Sequence, residues 1–167
     1  MKPIYILLVL TMATSCAAQS PVKETLAYRR ETVRGAPGSG SGAASSQNPF
    51  PTSYFIYVVI KKGTAVSLAG VCVHRKFYDA TWNRVESPVL IEHDVSVPTG
   101  EKDTLVKKTS DDVYQVELGQ QKSPECKEQG KEKLAQRNEV VVFLKSGRSI
   151  WYGVVEKIVP LHPAAAM

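Results

Sequence analysis

The chain of 167 residues carries only three cysteines, Cys16, Cys72 and Cys126, and no two of them form a CxxC pair. It carries three histidines, His74, His93 and His162, with no HxxxH spacing. These scarcities remove the usual zinc patterns, and no metal or cofactor is expected. No GxSxG, HExxH or Walker-type pattern occurs, so the common nucleophile, metalloprotease and phosphate-loop signatures are missing. The Gly38-Ser39-Gly40-Ser41-Gly42 stretch follows no strand-like run and precedes no Lys-Ser/Thr. No block of like charge reaches five or six residues, so the formal net charge of +5 is diffuse. No apolar run approaches the about 20 residues that cross a bilayer as a helix.

What the chain does have is short apolar runs punctuated by turns. Two of them flank Ser146-Gly147 within Asn138 to Ile158. Val140 to Leu144 are continuously apolar and β-branched, as in a strand covered on both faces. Ile150 to Ile158 alternates, with Ile150, Tyr152, Val154 and Ile158 on one face and Trp151, Val155 and Lys157 on the other. A two-residue connection containing Gly suits a tight hairpin. Tyr54 to Ile60 reads as a buried strand. Thr64 to His74 follows, with Val66, Leu68 and Cys72 on one face, Ala69, Val71 and Val73 on the other, and a bulge or bend at Gly70. Phe77 to Trp82 reads as a short strand or a turn. Val89, Ile91, His93, Val95 and Val97 alternate cleanly. Thr104 to Lys107 reads as an edge strand, and Val113 to Leu118 places Tyr114, Val116 and Leu118 inward. Gly119 to Arg137 is polar, with one or two helical turns over Lys131 to Gln136, and reads as a long surface excursion. About seven short strands predict an all-β fold, a single small antiparallel sandwich or barrel over residues 53–160.

The N-terminus carries the clearest functional signal. Lys2 precedes an apolar core running from Ile4 to Ala13, about ten residues, in the range of a signal h-region. Ala13-Thr14-Ser15-Cys16 follows. This resembles the lipobox of bacterial lipoprotein signal peptides, over residues 1–16 only, and departs from the commonest pattern by having Ala13 three before the cysteine. The resemblance implies a signal peptide over 1–15, acylation of Cys16, and a membrane-anchored place in the cell envelope, with the outer membrane expected. Simple secretion after ordinary cleavage is the alternative. Residues 16–52 are small, polar and Gly/Ser/Pro-rich, with a possible short helix over Val22 to Val33. They read as a flexible linker whose roughly 35 residues reach on the order of 30 Å. The tail 161–167 reads as disordered.

In an exported chain, Cys72 and Cys126 leave one intramolecular pairing, which would clamp the excursion to the second strand of the domain. The candidate partner contacts are Trp82, read as an exposed aromatic beside Arg84, together with Lys127 and Lys131 in the excursion. The expected function is a lipid-anchored, non-catalytic binding or assembly module for another envelope protein or complex, with no nucleic-acid partner. The alternatives are a secreted inhibitor or ligand-binding domain, and a small wall- or glycan-directed enzyme using Glu92, Asp94, Asp111 or Asp112. The enzyme needs two carboxylates about 5–10 Å apart across a cleft.

Overall fold

The computed structural model describes residues 20–34, 52–92, 102–126, 132–162 and 164–166. His93, Asp94, Lys127, Lys131 and the lipobox lie outside the described residues. The fold is all-β with one short helix. Its strands are β1 (Val22–Arg34), β2 (Thr52–Ile60), β3 (Ser67–Val73), β4 (Lys76–Val85), β5 (Val89–Glu92), β6 (Lys102–Val106) and β7 (Asp112–Ser123). After the helix α1 (Glu132–Arg137) come β8 (Val140–Ser146), β9 (Ser149–Val155), β10 (Val159–Pro160) and β11 (Ala164–Ala166).

One sheet runs β10-β1-β2-β7-β4-β3-β8-β9, with β11 also paired to β1, and β5–β6 forms a separate ribbon. Every pairing is antiparallel except the two short parallel ones that β1 makes with β10 and β11. The sheet curls until β1 lies against β9. There the backbone of Gly153 meets Thr25 so closely that a methyl group at 153 would collide with the threonine hydroxyl.

The curl gives an inside and two covered patches outside. Ile56, Ile60, Val71, Val116, Val142 and Leu144 belong to the inner core. The intervening residues of β2 and β7, Tyr57, Val59 and Val113, face outward and are roofed by Leu105 and Val106 of the β5–β6 ribbon. Val141 and Phe143 of β8 also face outward, under Cys72, Cys126 and Ala135 of α1. Val140 to Leu144 are therefore buried on both faces, as their unbroken apolar run requires. Each such side chain contributes about 1.5–3 kcal/mol relative to exposure.

Two expectations about local structure are corrected. The segment read as linker with a short helix holds a 13-residue strand, β1, paired to β2 from Val22↔Ile60 to Glu31↔Thr52. The folded body thus begins at about residue 22 rather than 53. Ala27 faces the inner core, whereas Leu26 and Tyr28 face the ribbon. That two-sided burial outweighs the marginal stability of a lone short helix. The tail is likewise ordered in part, because Ala164–Ala166 pairs with Thr32–Arg34.

The bulge at Gly70 is present, as a register shift between Leu68 and Gly70. It changes the faces predicted by simple alternation. Leu68 joins Val71 and Val73 inside, and Cys72 turns outward. Gly70 has φ +152°, and a side chain there would run into the ring of Phe77. The β8–β9 turn is Gly147-Arg148, one residue later than the sequence suggests, with Gly147 at φ +58°. On β9, Trp151 and Val155 pack inside, Tyr152 packs outside on Phe143, and Val154 is exposed. The first five residues of the excursion, Gly119 to Ser123, are strand, since β7 continues to Ser123, and α1 supplies the expected helical turns.

Candidate binding surface

The two ends of the curled sheet hold most of the polar chemistry. At one end β3 turns into β4. Val73 pairs directly with Lys76, so His74 and Arg75 form a two-residue turn. Both have positive φ, 45° and 67°. The twist of such a hairpin asks for this geometry, which Asn-Gly or Gly-Gly supplies without steric cost. For His and Arg it costs on the order of 1 kcal/mol each.

Three contacts hold the turn. The His74 N–H donates to the Glu139 carbonyl at 2.8 Å, and the Cys126 N–H donates to the Arg75 carbonyl at 2.7 Å. Cys72 and Cys126 are joined by a disulfide with Cα atoms 6.1 Å apart. The ring of His74 meets Tyr54 edge-on at 6.1 Å. Burial holds the Tyr54 hydroxyl above its ordinary range, Tyr78 and Glu139 push the same way, and Arg29 opposes them.

A groove opens on each side of Arg75. One is lined by Arg75, Glu125, Cys126, Glu132 and Gln136, and the other by His74, Arg75, Gln136, Arg137 and Glu156. Their volumes, about 290 and 250 Å³, fall at or below the roughly 300 Å³ where small-molecule sites begin. Recesses of that size suit individual side chains of a docked protein. Arg75 and Arg137 make no ion pair among the described residues, and both are exposed.

The opposite end is ordered by charge. Asp111 accepts from Lys23 Nζ at 2.7 Å, from the Lys62 N–H at 3.4 Å and from the Thr109 hydroxyl at 3.4 Å. Asp112 accepts from Arg84 and from the Gly63 N–H. The Lys23 ammonium holds the Asp111 carboxyl below its usual range against the opposing effect of burial, and the Lys62 N–H and Thr109 hydroxyl add to the lowering. Both carboxylates thus tie the β2–β3 turn to the start of β7. Glu92 pairs with Lys102 at 2.9 Å. Of the residues named for a carboxylate enzyme, Glu92, Asp111 and Asp112 are each in an ion pair, and Asp94 lies outside the described residues.

The sequence-derived contacts do not gather into one site. Trp82 is not an exposed anchor. It is half-buried and stacks on Tyr114, centroids 4.4 Å apart and planes at 24°, against the inner core. Arg84 follows at the rim, on Asp112. Lys127 and Lys131 lie outside the described residues, but Cys126 and Glu132 beside them line the first groove. The disulfide is where the cysteine count placed it. The His74-Arg75 turn was missed. Its only local sign is two β-like runs, Ser67 to Val73 and Lys76 to Val85, separated by two residues without Gly.

No protein-family model, no curated protein and no solved structure matches this chain.

Proposed function

We propose that this is an exported, lipid-anchored cell-envelope protein that acts as a non-catalytic binding module, docking on another envelope protein or complex through the His74-Arg75 end. The observation that carries the reading is the turn itself. Two non-glycine residues are kept in a costly backbone conformation by a disulfide and two backbone hydrogen bonds, and Arg75, exposed and without an ion pair among the described residues, lines both small recesses. Strain of this kind concentrates at recognition sites because the surrounding structure has to over-determine it. Anchoring and export rest on the resemblance of Ala13-Thr14-Ser15-Cys16 to a lipobox.

The test uses a photo-crosslinking side chain at Gln136, which lines both recesses, in cells labelled with palmitate. The expected result is palmitate on the wild-type chain but not on Cys16→Ala. A discrete protein adduct should form from position 136, be lost in Arg75→Glu, and be absent when the crosslinker stands at Arg148. Adducts of equal yield from both positions, or indifference to Arg75→Glu, would remove the docking reading. Absence of label would remove the anchor.

A further inference from the structure

The strand β1 enters the sheet at the Asp111–Asp112 end. Val22 pairs with Ile60, and the Pro21 carbonyl accepts the Lys61 N–H at 2.9 Å. Between Cys16 and Val22 there are six residue steps, which span at most about 20 Å at roughly 3.3–3.6 Å each. β1 then runs 13 residues away, about 40 Å at the rise of a strand. If Cys16 bears the acyl chains, the short tether holds the Asp111–Asp112 end at the membrane and leaves the His74-Arg75 end pointing away from it. This replaces the long tether expected from composition, and it rests on the anchoring proposed above.

The end so placed is cationic. Lys61, Lys62, Lys107 and Lys108 are exposed. None of them makes an ion pair among the described residues. Lys107 and Lys108 line a groove with Lys23, and Lys62 lines the adjoining one with Arg84. Lys145 and Arg148, both exposed, join them from the β8–β9 turn, which the Ser146 hydroxyl fastens to the Ala65 carbonyl at 2.9 Å. Of the nearby carboxylates, Asp111 and Asp112 are already matched by Lys23, Arg84 and backbone donors, leaving Glu24 and Glu86. The far end is mixed in sign, with Lys76 and Lys133 exposed there as well. Its grooves carry Glu125, Glu132, Glu139 and Glu156 against Arg75 and Arg137. The lysine rim therefore stands at the end of β1 nearest Cys16, opposite a far end of mixed sign.

We propose that this lysine rim lies on an anionic phospholipid surface, so that acyl chains and rim together fix the orientation of the body. Basic residues act on such a surface only within about a Debye length, roughly 8 Å at physiological salt. A tether of six residues, with a reach of at most about 20 Å, lets them enter that layer, and the charge of the rim is what would hold them in it.

The experiment is lysine footprinting by acetylation on the full chain, in vesicles of phosphatidylcholine alone and in vesicles with one third phosphatidylglycerol. The expected result is that Lys61, Lys62, Lys107 and Lys108 react about threefold more slowly on the anionic vesicles. Lys76 and Lys133 should be unchanged, and high salt should erase the difference. In Lys107→Glu/Lys108→Glu, the rates at Lys61 and Lys62 should return to the phosphatidylcholine values. Equal rates on both vesicles overturn the rim. A chain that does not float with phosphatidylcholine shows instead that the anchor fails. The rim is then read from flotation with anionic vesicles at low salt, where binding supports it and no binding overturns it.

Discussion

The two ends of the sheet are held by different forces. At the Asp111–Asp112 end the order comes from local charge: two adjacent carboxylates collect two cations and two backbone N–H groups. Pairs as exposed as Lys23 and Arg84 contribute little to stability, so this end is only loosely held. At the His74-Arg75 end the order is imposed from a distance, by a covalent bond across 54 residues and by the apolar patch of Phe77, Phe143 and Ala135. A turn that is unfavourable by itself can persist only under such imposed order. The difference matches the two roles proposed above, one face lying on a diffuse charged surface and the other presenting a fixed shape.

Cutting the covalent bond should have the largest effect. By chain entropy, closing a loop of 54 residues stabilises by about 4 kcal/mol. Cys72→Ala/Cys126→Ala should lower the melting temperature by on the order of 15 °C. Hydrogen exchange should show where the loss falls. The amides of His74 and Cys126 should lose protection first, while Val58 and Val116, in the inner core, follow only the global transition. Uniform loss at both ends would mean that the ends are not separately held.

The seam between β1 and β9 tests whether the ends belong to one closed body. Gly153→Ala should cost about 1–3 kcal/mol, the range for overpacking, because its methyl meets Thr25. The Thr25 hydroxyl is buried with no hydrogen-bond partner among the described residues, so nothing polar is lost by removing it. In a Thr25→Ala background the cost of Gly153→Ala should fall by more than half. Denaturant midpoints of the four chains measure this coupling, and simple additivity would show that β1 and β9 do not touch.

The core strands were legible because their signal is local. Tyr54 to Ile60 and Val140 to Leu144 are apolar without a break, and Gly70 marks its own bulge. β1 was not legible, because Val22, Leu26 and Val33 stand at spacings that fit a weak helix. The partners that make it a strand, β2 and the β5–β6 ribbon, lie far away in sequence. Trp82 was misread for a similar reason: Asn83 and Arg84 beside it are polar, but its stacking partner Tyr114 comes from another strand. The disulfide followed from counting, since only one pairing remained. The strained turn could not, because positive φ at His74 and Arg75 is imposed by the register of Val73↔Lys76 and leaves no compositional trace.

A smaller effect, with opposite signs in two measurements, is expected at Arg75. Glycine adopts positive φ freely but loses more conformational entropy on folding, by roughly 0.5–1 kcal/mol. Arg75→Gly should therefore leave stability unchanged or raise it by up to about 1 kcal/mol, while the crosslinked adduct from Gln136 disappears. A residue kept at a cost in stability and needed for contact behaves in this way. If Arg75→Gly destabilises the fold and leaves the adduct intact, the turn is structural and the contact lies elsewhere.

The smallest effect belongs to the charged end, and its direction also bears on chemistry. Because the folded Asp111 carboxyl lies below its ordinary value of 3.8, folding favours the ionised form. Its contribution is present in full above the unfolded value and is lost as pH falls through the folded one. Lys23→Ala removes the largest cause of that lowering. Urea midpoints of wild type and Lys23→Ala should therefore differ slightly near neutrality, with wild type the more stable, and converge once the carboxyl is protonated in both. Direct titration of Asp111 by NMR should show a lowered midpoint that rises in Lys23→Ala. A carboxyl held this way stays ionised at neutral pH and has no proton to give a leaving group. If Asp111 were instead found raised, it would be poised as a general acid beside Asp112, and the wall-directed enzyme would regain its strongest residue.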